Sequence, residues 1–127
     1  MTTATAKPPG IAMPALDKTK FAVHAADEGK AEEITILDVR AVSGVTDYFV
    51  IFTGSGTNHV RALAKRVEDA LRENGVKPSS VDGARTTAWV AMDYGNVIVH
   101  AMTADSRRTY DLERLWGDAP RVDIKAS

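Results

Sequence analysis

The run Tyr48-Phe49-Val50-Ile51-Phe52-Thr53 constrains this chain more than any other stretch. Its side chains are apolar at both parities. A strand of that kind has to be covered on both faces, so it belongs in the interior of a layered α/β domain. Gly54-Ser55-Gly56 follows, and then a helical pattern begins. Val60, Leu63, Ala64, Val67, Ala70 and Leu71 recur at helical spacing and form one apolar stripe. Thr57 is expected to cap this helix, and Asn74-Gly75 to stop it.

The remaining elements follow from weaker patterns. Asp17 is expected to cap a helix running to about Asp27, with Phe21, Ala22 and Ala25 on one face and Gly29 as its stop. Ile34 to Leu37 reads as a short strand, and Ser43-Gly44 as a turn. Pro78 to Asp82 holds a brief strand. Trp89–Met92 and Val97–Met102 flank Asp93-Tyr94-Gly95-Asn96, which reads as a tight hairpin. Thr103 to Ser106 is expected as a loop, and Arg107 to Trp116 as one short helical segment. The 127 residues suit one domain. The expected fold is α/β, a mixed sheet of about five strands with helices packed on it. Residues 1–15 form a disordered lead in this reading, 16–124 the domain and 125–127 a tail.

Composition removes several classes of function. Sixteen Lys and Arg stand against seventeen Asp and Glu, which argues against a general nucleic-acid clamp or a basic membrane patch. There is no cysteine, so disulfides, thiolate metal sites and a cysteine nucleophile are excluded. No run approaches the roughly 20 apolar residues of a membrane span. There is no apolar signal-peptide core and no arginine before Arg40, so a cytoplasmic protein is expected.

The glycine turn invites a nucleotide-binding interpretation, and the letters oppose it. A phosphate-binding Walker loop needs a lysine at its end, but the chain continues Thr57-Asn58-His59. The dinucleotide fingerprint needs a third glycine where His59 stands. A nucleotidyltransferase needs paired carboxylates on a strand to hold metal ions. The next acidic pair, Glu68-Asp69, lies inside the long helix, where adjacent side chains diverge. His24, His59 and His100 show no metal-ligand spacing, and no serine has a nucleophile-elbow context. No catalytic residue, cofactor or metal site is expected.

The last third of the chain carries both tryptophans, with Tyr94 and Tyr110. Core packing is the usual fate of such residues. Here they stand beside Asp93, Arg107 and Glu113, and Tyr94 is expected to face solvent at a hairpin tip. Aromatic anchors among charges suit a protein–protein interface.

Three motifs carry a resemblance. They are Asp38-Val39-Arg40 with Thr46 to Ser55, Trp89 to His100, and Tyr110-Asp111-Leu112-Glu113-Arg114-Leu115-Trp116-Gly117-Asp118-Ala119-Pro120. In this order they resemble the ribosomal silencing factor family, also called Iojap. The resemblance covers roughly Leu16 to Ile124. Departures are Ala91-Met92 for a Leu pair, Asn96 for Asp, Met102 for Phe and Ala104 for Pro. Asn96 removes a charge beside the hairpin.

The resemblance implies a nucleotidyltransferase-like but catalytically degenerate fold. It implies a protein that is not an enzyme. Such a factor binds the large ribosomal subunit through ribosomal protein uL14 and blocks joining of the small subunit. Translation is thereby repressed in starvation or stationary phase. The implied partner surface is Trp89, Asp93 and Tyr94 on the hairpin with His100 nearby. Tyr110, Leu112, Leu115 and Trp116 complete or brace it. A basic partner would make the acidic groups matter. Two alternatives stand beside this reading: a divergent nucleotidyltransferase, and a homodimeric adaptor with another protein partner. A homodimer of the free protein fits either regulatory reading; neither membrane nor DNA is expected as a partner.

Overall fold

A computed structural model describes residues 13–83, 88–117 and 119–123. Most of the expected lead and the whole tail, residues 1–12 and 125–127, lie outside the described residues. The elements are α1 (Ala15–Glu28), β1 (Glu32–Asp38), β2 (Tyr48–Gly54), α2 (Thr57–Glu73), β3 (Ser80–Asp82), β4 (Trp89–Asp93), β5 (Val97–Thr103), α3 (Ala104–Tyr110) and α4 (Leu112–Leu115). The strands stand in the order β1-β2-β5-β4-β3. β2 and β5 are parallel, and every other neighbouring pair is antiparallel. A parallel pair needs a long crossover. Here that crossover contains α2, β3 and β4.

β2 is buried at every position, as its two-sided apolar run requires. Tyr48, Val50 and Phe52 face one way, into a core shared with α1 and α2. Phe49 and Ile51 face the other way, into a second core with Leu37, Val39, Met102 and Leu112. Val60, Leu63, Val67 and Leu71 of α2 are fully buried, each contributing about 1.5–3 kcal/mol by leaving water.

Gly54 makes the β2–α2 junction close. A Cβ there would lie 2.9 Å from the Val60 amide nitrogen and 3.0 Å from its Cγ2. Gly56 has extended backbone and open space around it, so sterics do not demand glycine there. No side-chain oxygen caps α2, whose cap position is Gly56 rather than Thr57. His59 secures the turn instead. Its Nδ1 accepts from the Ser55 amide at 2.8 Å. Its Nε2–H therefore donates to the Gly29 carbonyl, also at 2.8 Å, tying the turn to the end of α1.

Several boundaries differ from the sequence reading. α1 begins at Ala15, with the Pro14 carbonyl accepting from Asp17 and Lys18. Asp17 thus lies in the first turn, where its charge complements the helix dipole. β1 starts at Glu32, and its register shifts between Glu32 and Thr35, with Glu33 at φ 51°. That bulge and the exposed acids hide the strand's first half from a periodicity search. The expected loop after β5 is a helical turn: Thr103 Oγ1 accepts from the Ser106 amide and caps α3. The single helical segment expected over Arg107–Trp116 is broken at Asp111, which is left-handed at φ 46°.

Tyr94 requires a correction. It is 4% exposed and packs in the core under α1 and α2 rather than facing solvent. The reason is parity: alternation from Val90 and Met92 carries through β4 into the turn and aims Tyr94 at the helices.

Candidate partner-binding surface

Among the described residues, the second face of the sheet is only half covered. Strand parity places Trp89, Ala91 and Asp93 of β4 on it, with Ile98, His100 and Met102 of β5 and Phe49 and Ile51 of β2. α3, α4 and the segment after them pack over part of this face. Pro120, Arg121 and Val122 also pair with the outer edge of β1. Ala91, Asp93 and Ile98 keep partial exposure.

A row of aromatic contacts crosses this face. Tyr110 lies 4.6 Å from Trp89 between ring centroids. Trp89 lies 5.7 Å from His100, His100 5.1 Å from Phe49, and Phe49 5.4 Å from Trp116. The row therefore joins α3, β4, β5, β2 and the residue after α4. Such edge and tilted contacts between aromatic rings stabilise beyond the area they bury. Trp89 Nε1 donates to His100 Nδ1 at 3.0 Å, which fixes the neutral tautomer with the proton on Nε2. That Nε2 is buried and meets no hydrogen-bond partner. Burial pushes the His100 pKa down to about 4, so the ring is neutral at physiological pH.

Both ends of the row reach solvent. At one end a groove of about 490 Å³ is lined by Asp82, Ala88, Trp89, Ala91, Ser106 and Tyr110. At the other, a groove of about 300 Å³ lies among Val42, Arg114, Leu115 and Trp116. Tyr110 is 54% exposed and Leu115 71%. Large apolar side chains left in water, beside Asp82 at the Tyr110 end and Arg114 at the Leu115 end, are the raw material of a docking site.

The structure thus brings together seven of the eight expected residues, in different roles. Trp89, Tyr110 and Trp116 are partly open parts of the face, and Leu115 is its most exposed apolar group. Leu112 and His100 are buried supports. Asp93 sits at the end of β4, its Oδ1 accepting from the Gly95 amide at 2.8 Å. Tyr94 points to the opposite face and leaves the set. Asp82, Ala91, Ile98 and Val42 were missed. The alternation through β4 and β5 would have found Ala91 and Ile98. An apolar Val42 beside a Ser-Gly turn was also a visible signal.

A buried lysine supports the hairpin from behind. Lys18 of α1 is 1% exposed, and its Nζ donates to the Tyr94 carbonyl and to Asn96 Oδ1, each at 2.8 Å. Burial lowers its pKa, and the nearby Asp93 carboxylate partly raises it again. Among the described residues no three His, Asp or Glu side chains converge as metal ligands.

Comparison with known proteins then decides the family. The family model described as "Ribosomal silencing factor during starvation" matches residues 12–127. The chain belongs to the ribosomal silencing factor family. A silencing factor of Bacillus subtilis strain 168 is 41% identical over 105 residues, covering 83% of this chain and 89% of that one. A crystal structure of a Chromobacterium violaceum protein superposes with a TM-score of 0.80 at 32% identity, covering 91% of this chain and 97% of that one. The mouse protein named "Mitochondrial assembly of ribosomal large subunit protein 1" is 29% identical over 89 residues, 68% of this chain and 39% of its own. The half-covered sheet face lies wholly inside the span matched by the silencing-factor model.

Proposed function

We propose that this chain is a ribosomal silencing factor that docks on the large ribosomal subunit through ribosomal protein uL14 and represses translation by barring the small subunit. It acts in the cytoplasm during starvation or stationary phase. No bond is made or broken: a folded domain occupies a position that the other subunit needs. The observation that carries this reading is the half-covered sheet face, with exposed Tyr110 and Leu115 at its ends, in a chain of this family. The large-subunit name of the mouse relative supports the choice of subunit. Asp82 and Asp93 border the face, which favours a basic protein partner. Net charge of −1 keeps the chain from adhering to RNA at large.

The docking set consists of Trp89, Asp93, Tyr110, Leu115 and Trp116, with His100 and Leu112 beneath. In the free protein the same apolar groups favour a homodimer, which would compete with the ribosome for this face. Cosedimentation with separated subunits tests the reading. The purified chain should travel with the large subunit alone. Migration with neither subunit would overturn the proposal. A free chain that stays monomeric in sedimentation equilibrium across its working concentrations would overturn the homodimer.

A further inference from the structure

α3 is seven residues long and buries a single side chain, and that side chain is an arginine. α4 has four residues and buries Leu112. Helices this short do not hold themselves in water, so their placement has to come from tertiary contacts. The apolar contact α3 makes is the half-exposed Tyr110 ring against Trp89, at one end of the helix.

Arg107 supplies the anchor. Its Nε donates to Glu113 Oε1 and its Nη2 to Glu113 Oε2, both at 3.0 Å, a bidentate pair. Nη1 donates to the Glu33 carbonyl at 2.6 Å and to Thr53 Oγ1 at 3.0 Å. Nη2 also donates to Thr35 Oγ1 at 2.9 Å. A guanidinium has five N–H groups, and every one is used. None is left for an anion or a ligand, so this buried charge serves the fold and not a substrate. Its contacts span β1, β2 and α4 from a position on α3.

Two left-handed residues flank the grip. Glu33, whose carbonyl accepts from Arg107, has φ 51°, and Asp111, whose amide donates to the Arg107 carbonyl, has φ 46°. Such backbone persists where surrounding bonds over-determine it. The groups that depend on the bend between α3 and α4 are Tyr110 on one side and Leu115 and Trp116 on the other.

We infer that Arg107 is the positioning residue of the docking face, setting through Glu113 and the ends of β1 and β2 where Tyr110, Leu115 and Trp116 stand. This inference rests on the docking reading for its functional meaning. Lysine cannot replace it, because an ammonium is a point charge with three donors and no fork.

The test is fluorine NMR on full-length protein carrying fluorotryptophan, with the Trp89 line assigned by Trp89→Phe. In Arg107→Met the Trp116 line should move toward the solvent-exposed position, while urea unfolding stays cooperative. Large-subunit binding should weaken about tenfold, the scale of one lost charged hydrogen-bond set. Arg107→Lys should restore neither the line nor the binding. An unmoved Trp116 line in folded Arg107→Met, or full restoration by lysine, would overturn the inference. If Arg107→Met does not fold, Glu113→Gln carries the test: it removes one acceptor, and an unmoved Trp116 line there also overturns it. Failure of the wild-type chain to bind the large subunit would sink the docking reading and leave the fluorine result standing, so the two failures are distinguishable.

Discussion

His100 is neutral in the folded chain because the sheet face around it excludes water and its Nδ1 is occupied by the Trp89 indole. Its folded pKa of about 4 lies below the ordinary value. As pH falls, the unfolded chain therefore takes up a proton first. The stability tied to His100 is complete above the unfolded pKa and is lost as pH drops from about 6.5 toward 4. Urea midpoints should fall between pH 7 and pH 5 by the equivalent of roughly 2 kcal/mol, and His100→Leu should flatten that slope. A wild-type midpoint unchanged across this window would contradict the assignment. The carboxylate of Glu113, held below its usual range by the Arg107 hydrogen bonds, contributes only at lower pH and does not confuse the measurement. Lys18 offers a second residue-scale test. Its ammonium meets two neutral acceptors, the Tyr94 carbonyl and Asn96 Oδ1. Asn96→Asp should supply a charged partner, raise the Lys18 pKa and stabilise the fold near neutral pH by about 1–2 kcal/mol. The gain should vanish in a Lys18→Met background, and a lower urea midpoint in Asn96→Asp alone would refute it.

Among elements, the break at Asp111 separates the two short helices and turns the chain across the sheet face. Its left-handed backbone tolerates glycine, asparagine or aspartate and penalises a branched Cβ. Asp111→Val should cost about 1–2 kcal/mol in chemical denaturation, with Asp111→Gly close to wild type. Equal stability of the two variants would show that the break is not strained. This break was not legible in the sequence, because the run from Arg107 to Trp116 keeps helical spacing and aspartate alone marks no stop. The amphipathic α2 and the two-sided β2 were legible, since a strong period survives any tertiary context. β1 was only half legible: its exposed glutamates and its bulge erase the alternation. Tyr94 was misjudged because a turn position was weighed above strand parity. Lys18 gave no signal at all, since a lysine on a helix reads as a surface residue until its acceptors arrive from the hairpin.

At the scale of the whole molecule, the described residues form a sheet with one face sealed by two long helices and the other only partly covered by two short ones. The sealed face makes the fold, and the open one leaves an aromatic row with exposed ends. The motifs that carry the family resemblance told more about this surface than composition did, because exposure and face are set by pairing register, which a single sequence does not display. Light scattering during joining of separated ribosomal subunits tests the central claim most directly. The wild-type chain should suppress the joining signal in proportion to its occupancy of the large subunit. Leu115→Glu and Tyr110→Ala, both at exposed positions, should remain folded and lose at least about tenfold in potency, as expected for apolar interface anchors. Full suppression by both folded variants, or no suppression by the wild-type chain at saturating concentration, would contradict the account.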